Sequence, residues 1–304
     1  MRIRIRGARI WVTFLLGSLA CTTTRMVPAA DSHSGTDHAP PSTSATVSAA
    51  PQIQGLPPDA SGALSRLASS PRHGEWVTIR TGDGDSLRTW VVYPERSTKA
   101  PVVLVVHEVF GLSSWVRSVA DQLAADGFIA IAPDLLTMKN LPDVPDSALA
   151  PLAVAAIRTL DPAWVQRQLD AAAQYGMSLP AAQKKYGIVG FCWGGGVSFA
   201  HAVHSPSLGA SVVYYGVSPP TASLDSVRAP VLGLYGGSDA RVDATIPPAD
   251  SALRALGRTY EHTIFPGAGH GFLRQQIGQN GANLAAARAA WPTTVAWFKK
   301  YLES

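Results

Sequence analysis

The chain has 304 residues, 46% hydrophobic and 15% charged, which excludes an intrinsically disordered chain and leaves room for one substantial globular domain. Its formal charge of +4 is concentrated at one end: Arg2, Arg4, Arg6 and Arg9 precede residue 20 without an acid among them, and the other basic residues balance the 21 acidic ones. That balance excludes a basic nucleic-acid-binding surface, and no nucleic-acid partner is expected.

Arg-rich Met1–Arg9 followed by the apolar run Ile10–Ala20 has the arrangement of an export signal and is too short to span a bilayer. Residues 1–21 are read as that signal. Leu19-Ala20-Cys21 resembles the lipobox of bacterial lipoproteins, with Ser18 where leucine is usual, so lipidation of Cys21, ordinary cleavage and a retained anchor all stay open. An exported, periplasmic or envelope-attached protein is expected, in contact with membrane only through such an N-terminal anchor. Residues 22–70 are rich in Thr, Ala, Ser and Pro and are read as a disordered linker, with His33 and His38 as solvated residues of it. Cys192 is then the one cysteine of the folded body (residues 71–304), without an internal disulfide partner.

From Glu75 the texture changes. Glu75–Arg80 and Leu87–Tyr93 are predicted strands joined by a turn at Gly82-Asp83-Gly84. Pro101–His107 is a continuous β-branched run, the mark of a strand buried on both faces. A helix over Trp115–Asp126 and a strand over Phe128–Ala132 follow, then a helix over Pro162–Tyr175 capped by Asp161. Strand Tyr186–Val189, helix Trp193–Val203, strands Ala210–Tyr214 and Pro230–Tyr235, a helix near Pro248–Leu256, strand Tyr260–Phe265 and helix Ala282–Leu302 complete the series. Such alternation predicts an α/β fold, a mostly parallel central sheet with helices on both faces, whose chemistry lies in the loops at the carboxyl ends of the strands.

The strongest chemical signal is Gly190-Phe191-Cys192-Trp193-Gly194-Gly195, after a predicted strand and before a predicted helix. This is the nucleophile elbow of the α/β-hydrolase fold with cysteine in the central place. A helix N-terminus beneath Cys192 is expected to favour its thiolate. The chain order nucleophile, acid, histidine is met by Asp239 and His270, both in glycine-containing loops past strand ends. Asp243 and His262 are the rivals for acid and base, while His201 and His204 read as packing or surface residues. The loop His107–Gly111 is expected to supply the Val109 amide to an oxyanion hole whose other donor is the Trp193 amide. Glu108 in that loop either pairs with a cation or holds the thiol's proton.

Taken together, these residues resemble the dienelactone hydrolase (carboxymethylenebutenolidase) family over Glu75 to Leu302. The markers are His107–Gly111, Ala132–Leu135, Gly190–Gly195, Tyr214–Gly216, Gly237–Asp239 and Gly269–Phe272. The resemblance implies hydrolysis of dienelactone by a Cys192-His270-Asp239 triad, with Glu108 helping to deprotonate the cysteine when substrate arrives. It further implies two arginines on the substrate carboxylate: Arg274 matches one, and Arg158 is the candidate for the other. Because a thiolate leaves a tetrahedral intermediate more readily than an alkoxide, activated or enol esters and lactones are the expected substrates. A broad exported carboxylesterase or thioesterase, and a non-catalytic binding or redox-sensing relative, are the alternatives. No cofactor or metal and a monomeric chain are expected.

Overall fold

The apolar run beginning at Ala100 forms β3 (Ala100–Val106), every residue of which is buried. Val103 and Val105 enter one apolar layer, and Val102, Leu104 and Val106 the other, as the two-residue repeat of a pleated strand requires. The computed structural model describes residues 53–82 and 84–303, all within one compact unit, Ser48–Ser304. The expected signal, Cys21, His33 and His38 lie outside the described residues.

Around β3 stand β1 (Gly74–Arg80), β2 (Ser86–Val92), β4 (Ile129–Pro133), β5 (Ala182–Phe191), β6 (Ala210–Tyr214), β7 (Val231–Gly236) and β8 (Tyr260–Phe265). Their order across the sheet is β1-β2-β4-β3-β5-β6-β7-β8. β1, β2 and β4 pair antiparallel, and every pair from β4 to β8 is parallel. Helices α2 (Ser114–Ala125) and α8 (Ala282–Leu302) pack on one face, and α4 (Pro162–Ser178), α5 (Trp193–His204) and α7 (Ile246–Ala255) on the other. The short α6 (Ala240–Asp243) follows β7. Asp161 caps α4 as expected, its carboxylate accepting from the Ala163 amide at 3.1 Å. Among the described residues no single helix is long and apolar enough to cross a membrane, and no group of three or more His, Cys, Asp or Glu could hold a metal ion.

Two segments depart from the sequence reading. Residues 53–70, expected as the end of a disordered linker, are folded and include α1 (Ala63–Ser69). Leu56 and Ala63 are buried against the α2 layer. Trp115 Nε1 donates to Pro58 O at 3.0 Å, and the Gln276 amide donates to Asp59 at 2.7 Å. Arg66 and Arg72 both reach Asp121 on α2, at 2.6 and 2.7 Å. The segment is low in large apolar residues, but polar anchors and small buried residues hold it. Asp121→Ala leaves two largely buried guanidinium groups without their carboxylate, so urea unfolding is expected to show a loss of about 3 kcal/mol.

The second departure is α3 (Asp146–Ile157), within a stretch to which the sequence assigned no element. Asp146 begins it and accepts a hydrogen bond from the Ser114 amide at 2.9 Å, tying it to the start of α2. Ala153 and Ile157 of α3 pack with Leu136 against Val109 and Trp193. The helix therefore forms a cover over the loops that follow β3 and β5.

Candidate active site

Because β3 and β5 to β8 run parallel, the loops that leave their carboxyl ends gather at one edge of the sheet. Cys192 leaves β5 and opens α5 with φ 57° and ψ −117°, a left-handed conformation that is strained for a residue with a side chain. Two glycines permit it. A Cβ on Gly190 would stand 1.8 Å from the Gly194 carbonyl oxygen, and one on Gly194 would stand 2.4 Å from that of His107. The backbone amides of Trp193 and Val109 both act on the Cys192 sulfur and pull its pKa down.

Val109 is held in place through its neighbour His107. The buried His107 ring donates through Nδ1 to Glu108 O at 2.8 Å and accepts from the Leu135 amide at Nε2, 3.3 Å away. It stacks on Trp193 with centroids 5.5 Å apart. Burial pushes its pKa down, so the ring stays neutral and can make both bonds.

Asp239 and His270 come together because the end of β7 touches the histidine loop. A Cβ on Gly236 would stand 2.6 Å from Gly269 O, and the Ser238 amide donates to Ala268 O at 2.9 Å. Asn283 on α8 accepts from the Gly269 amide at 2.8 Å and fixes the loop from behind. His270 Nδ1 then donates to Asp239 Oδ2 at 2.5 Å, which leaves Nε2 as the ring's basic atom. The rivals stand elsewhere. Asp243 carries a buried Oδ1 without a hydrogen-bond partner and makes no bond to His270. His262 is on β8, stacked on Tyr260 at 5.2 Å and 4.0 Å from Asp250. His201 is a packing residue, bonded to Gln166 at 2.8 Å and Tyr186 at 3.0 Å, and His204 pairs with Asp170 at 2.8 Å on the surface.

Glu108 is buried, and its nearest cation is Arg274, 3.2 Å away and itself set over the Phe110 ring. Neither atom of that contact has a well-aligned hydrogen bond, so the attraction is one of charge. Burial outweighs it and pushes the Glu108 carboxyl up to about 7. Burial also raises the Cys192 thiol, and the Glu108 charge raises it further, against the pull of the two amides and Arg241. The pull of the helix N-terminus toward the thiolate is thus opposed by desolvation and by the neighbouring carboxylate. Because the folded pKa of Glu108 lies above its ordinary 4.5, the stability held by its protonated form is complete below that value and is lost as pH rises through about 7. Urea stability is expected to decline across that window by up to about 1.4 kcal/mol per pH unit, and Glu108→Gln is expected to abolish the decline.

One residue of the site was quoted in the sequence without a role. Tyr215, after β6, has φ 41° and is buried with its ring centroid 5.2 Å from that of His270 in an edge-on arrangement, its hydroxyl without a hydrogen-bond partner. Its hydroxyl stands in the field of Glu108 and Cys192. Its sequence signals are its place directly past a strand end and its membership of the Tyr214–Gly216 marker. Arg158, in contrast, is exposed at the C-cap of α3, and no contact joins it to Cys192, Glu108 or His270.

An eight-stranded, mostly parallel sheet of this order, with an elbow after β5 and an acid and histidine after β7 and β8, defines an α/β-hydrolase. The profile described as the Dienelactone hydrolase family matches residues 87–302, and the chain belongs to that family. A carboxymethylenebutenolidase-like protein of Salmonella typhimurium is 32% identical over 238 residues, covering 74% of this chain and 87% of that protein. One from Escherichia coli K12 is 31% identical over 265 residues, covering 82% and 96%. Among solved structures, a dienelactone hydrolase-like protein of Klebsiella pneumoniae is 28% identical with a TM-score of 0.66, covering 76% of this chain and 99% of its own.

Proposed function

We propose that this dienelactone hydrolase-like hydrolase cleaves activated esters or lactones through an acyl-cysteine intermediate. The reading rests on one arrangement: the Cys192 sulfur faced by two backbone amides, with Glu108 on one side and the Asp239–His270 pair in the neighbouring loops. The substrate carbonyl oxygen takes the place between the Val109 and Trp193 amides. Glu108, ionised, accepts the thiol proton as sulfur bonds to the carbonyl carbon. The tetrahedral species collapses, the carbon–oxygen bond breaks, and the departing oxygen takes the proton back from Glu108 to leave as the alcohol or enol. His270 Nε2 then takes a proton from water, the hydroxide adds to the thioester, and the acid and the free thiol are released. Arg274, beside Glu108, suits a carboxylate on the substrate.

The Arg-rich start and apolar run before Cys21 further support an exported enzyme held at the cell envelope. The decisive test is a rapid acid quench of the protein with p-nitrophenyl acetate, followed by mass analysis of its peptides. One acetyl group on the Cys192 peptide is expected; turnover without any acyl group there overturns the reading.

A further inference from the structure

The face of α5 that begins at Trp193 borders a cavity of about 370 Å³, within the range of small-molecule sites. Trp193, Val197 and Ala200 form its floor, Ile157 from α3 and Val165 from α4 close one side, and Val217 stands at the rim. None of its lining residues carries a charge. Its buried amide is bonded through the oxygen: Gln166 Oε1 accepts from His201 Nδ1 at 2.8 Å. The larger cavity of about 450 Å³ is of the opposite kind, lined by Arg88, Arg117, Asp134, Asp143 and Asp146, and it does not include Trp193.

The apolar cavity therefore adjoins the residue whose amide faces the candidate nucleophile. A wall without a cation, made mostly of apolar side chains, gives a carboxylate no counter-charge and favours hydrocarbon. We infer that it receives an apolar substituent of the substrate, an alkyl or aryl group on the ester or lactone. Arg274 lies on the Glu108 side and not among the cavity residues, so a charged end and an apolar end have separate places. Val217, about 39% exposed at the rim, leaves the cavity open to an entering chain. The inference rests on the acyl-transfer reading of Cys192.

Two ester series test it in the full protein, p-nitrophenyl esters with a lengthening acyl chain and alkenyl acetates with a lengthening leaving group. In one series kcat/KM is expected to rise about fourfold per methylene until the cavity is full. Ala200→Leu narrows the floor while keeping a good helix former, and Val217→Trp blocks the rim from an exposed loop, so one variant stands if the other fails to fold. Each is expected to cut the ratio of long-chain to acetyl turnover about tenfold. The series that responds identifies the acyl or the leaving side, and either supports the inference. Flat series, or slopes that both folded variants leave intact, overturn it while acetylation of Cys192 keeps the acyl-transfer reading. Absence of turnover on every ester together with no acyl group on Cys192 overturns both.

Discussion

Replacing Cys192 with alanine is expected to lower kcat/KM toward p-nitrophenyl acetate at least about ten-thousandfold, the scale on which hydrolases lose activity with their nucleophile. Glycine packing holds the elbow, and an alanine at φ 57° has no more backbone strain than the cysteine, so the loss is chemical and the melting temperature should stay close to wild type. Cys192→Ser is the sharper variant. A thiol is intrinsically far more acidic than an alcohol, and in the proposed mechanism it passes its proton to Glu108, whose carboxyl is pushed up to about 7. A serine hydroxyl is far less acidic and cannot use Glu108 in that way. Its activity is expected to fall about a thousandfold, and a serine variant as fast as wild type would remove Glu108 from the mechanism.

Asp239→Asn carries the second large effect. The carboxylate accepts from His270 Nδ1 at 2.5 Å and so keeps Nε2 free to take a proton. An amide can turn its own N–H toward the ring, and the tautomer then has Nε2 protonated and useless as a base; the serine-protease counterpart costs about ten-thousandfold. In the proposed mechanism Glu108 serves the first step and His270 the second, so the losses should separate. Asp239→Asn is expected to slow release of the acyl group about a thousandfold or more, with acyl-Cys192 accumulating in the quench. A variant that loses acylation and deacylation equally would argue that His270, not Glu108, deprotonates the thiol.

Much of this site was legible in the sequence because its signals are local. Val102–Val106 announce a buried strand by β-branching alone, and Gly190, Gly194 and Gly195 announce a turn too tight for side chains. Asp239 and His270 were legible by order and by their place past strand ends. What was hidden depended on partners distant in the chain. Asp59 looks like a linker residue until Gln276 is found donating to it from 217 residues away, and nothing near Arg66 or Arg72 reveals Asp121. Helix α3 was hidden for another reason: from Ser147 to Ile157 it has no charged residue, and Pro151 interrupts the pattern, so no polar face marks its period. The state of the thiol was the subtlest loss. The helix start was visible, but its sign of effect was set by burial and by the approach of Glu108 from β3.

The raised thiol also bears on oxidation. Peroxides and disulfides attack the thiolate, so a buried cysteine held above its ordinary pKa gives oxidants little to react with at neutral pH. The Glu108 charge that raises the thiol therefore also works against oxidation of Cys192, the free cysteine among the described residues.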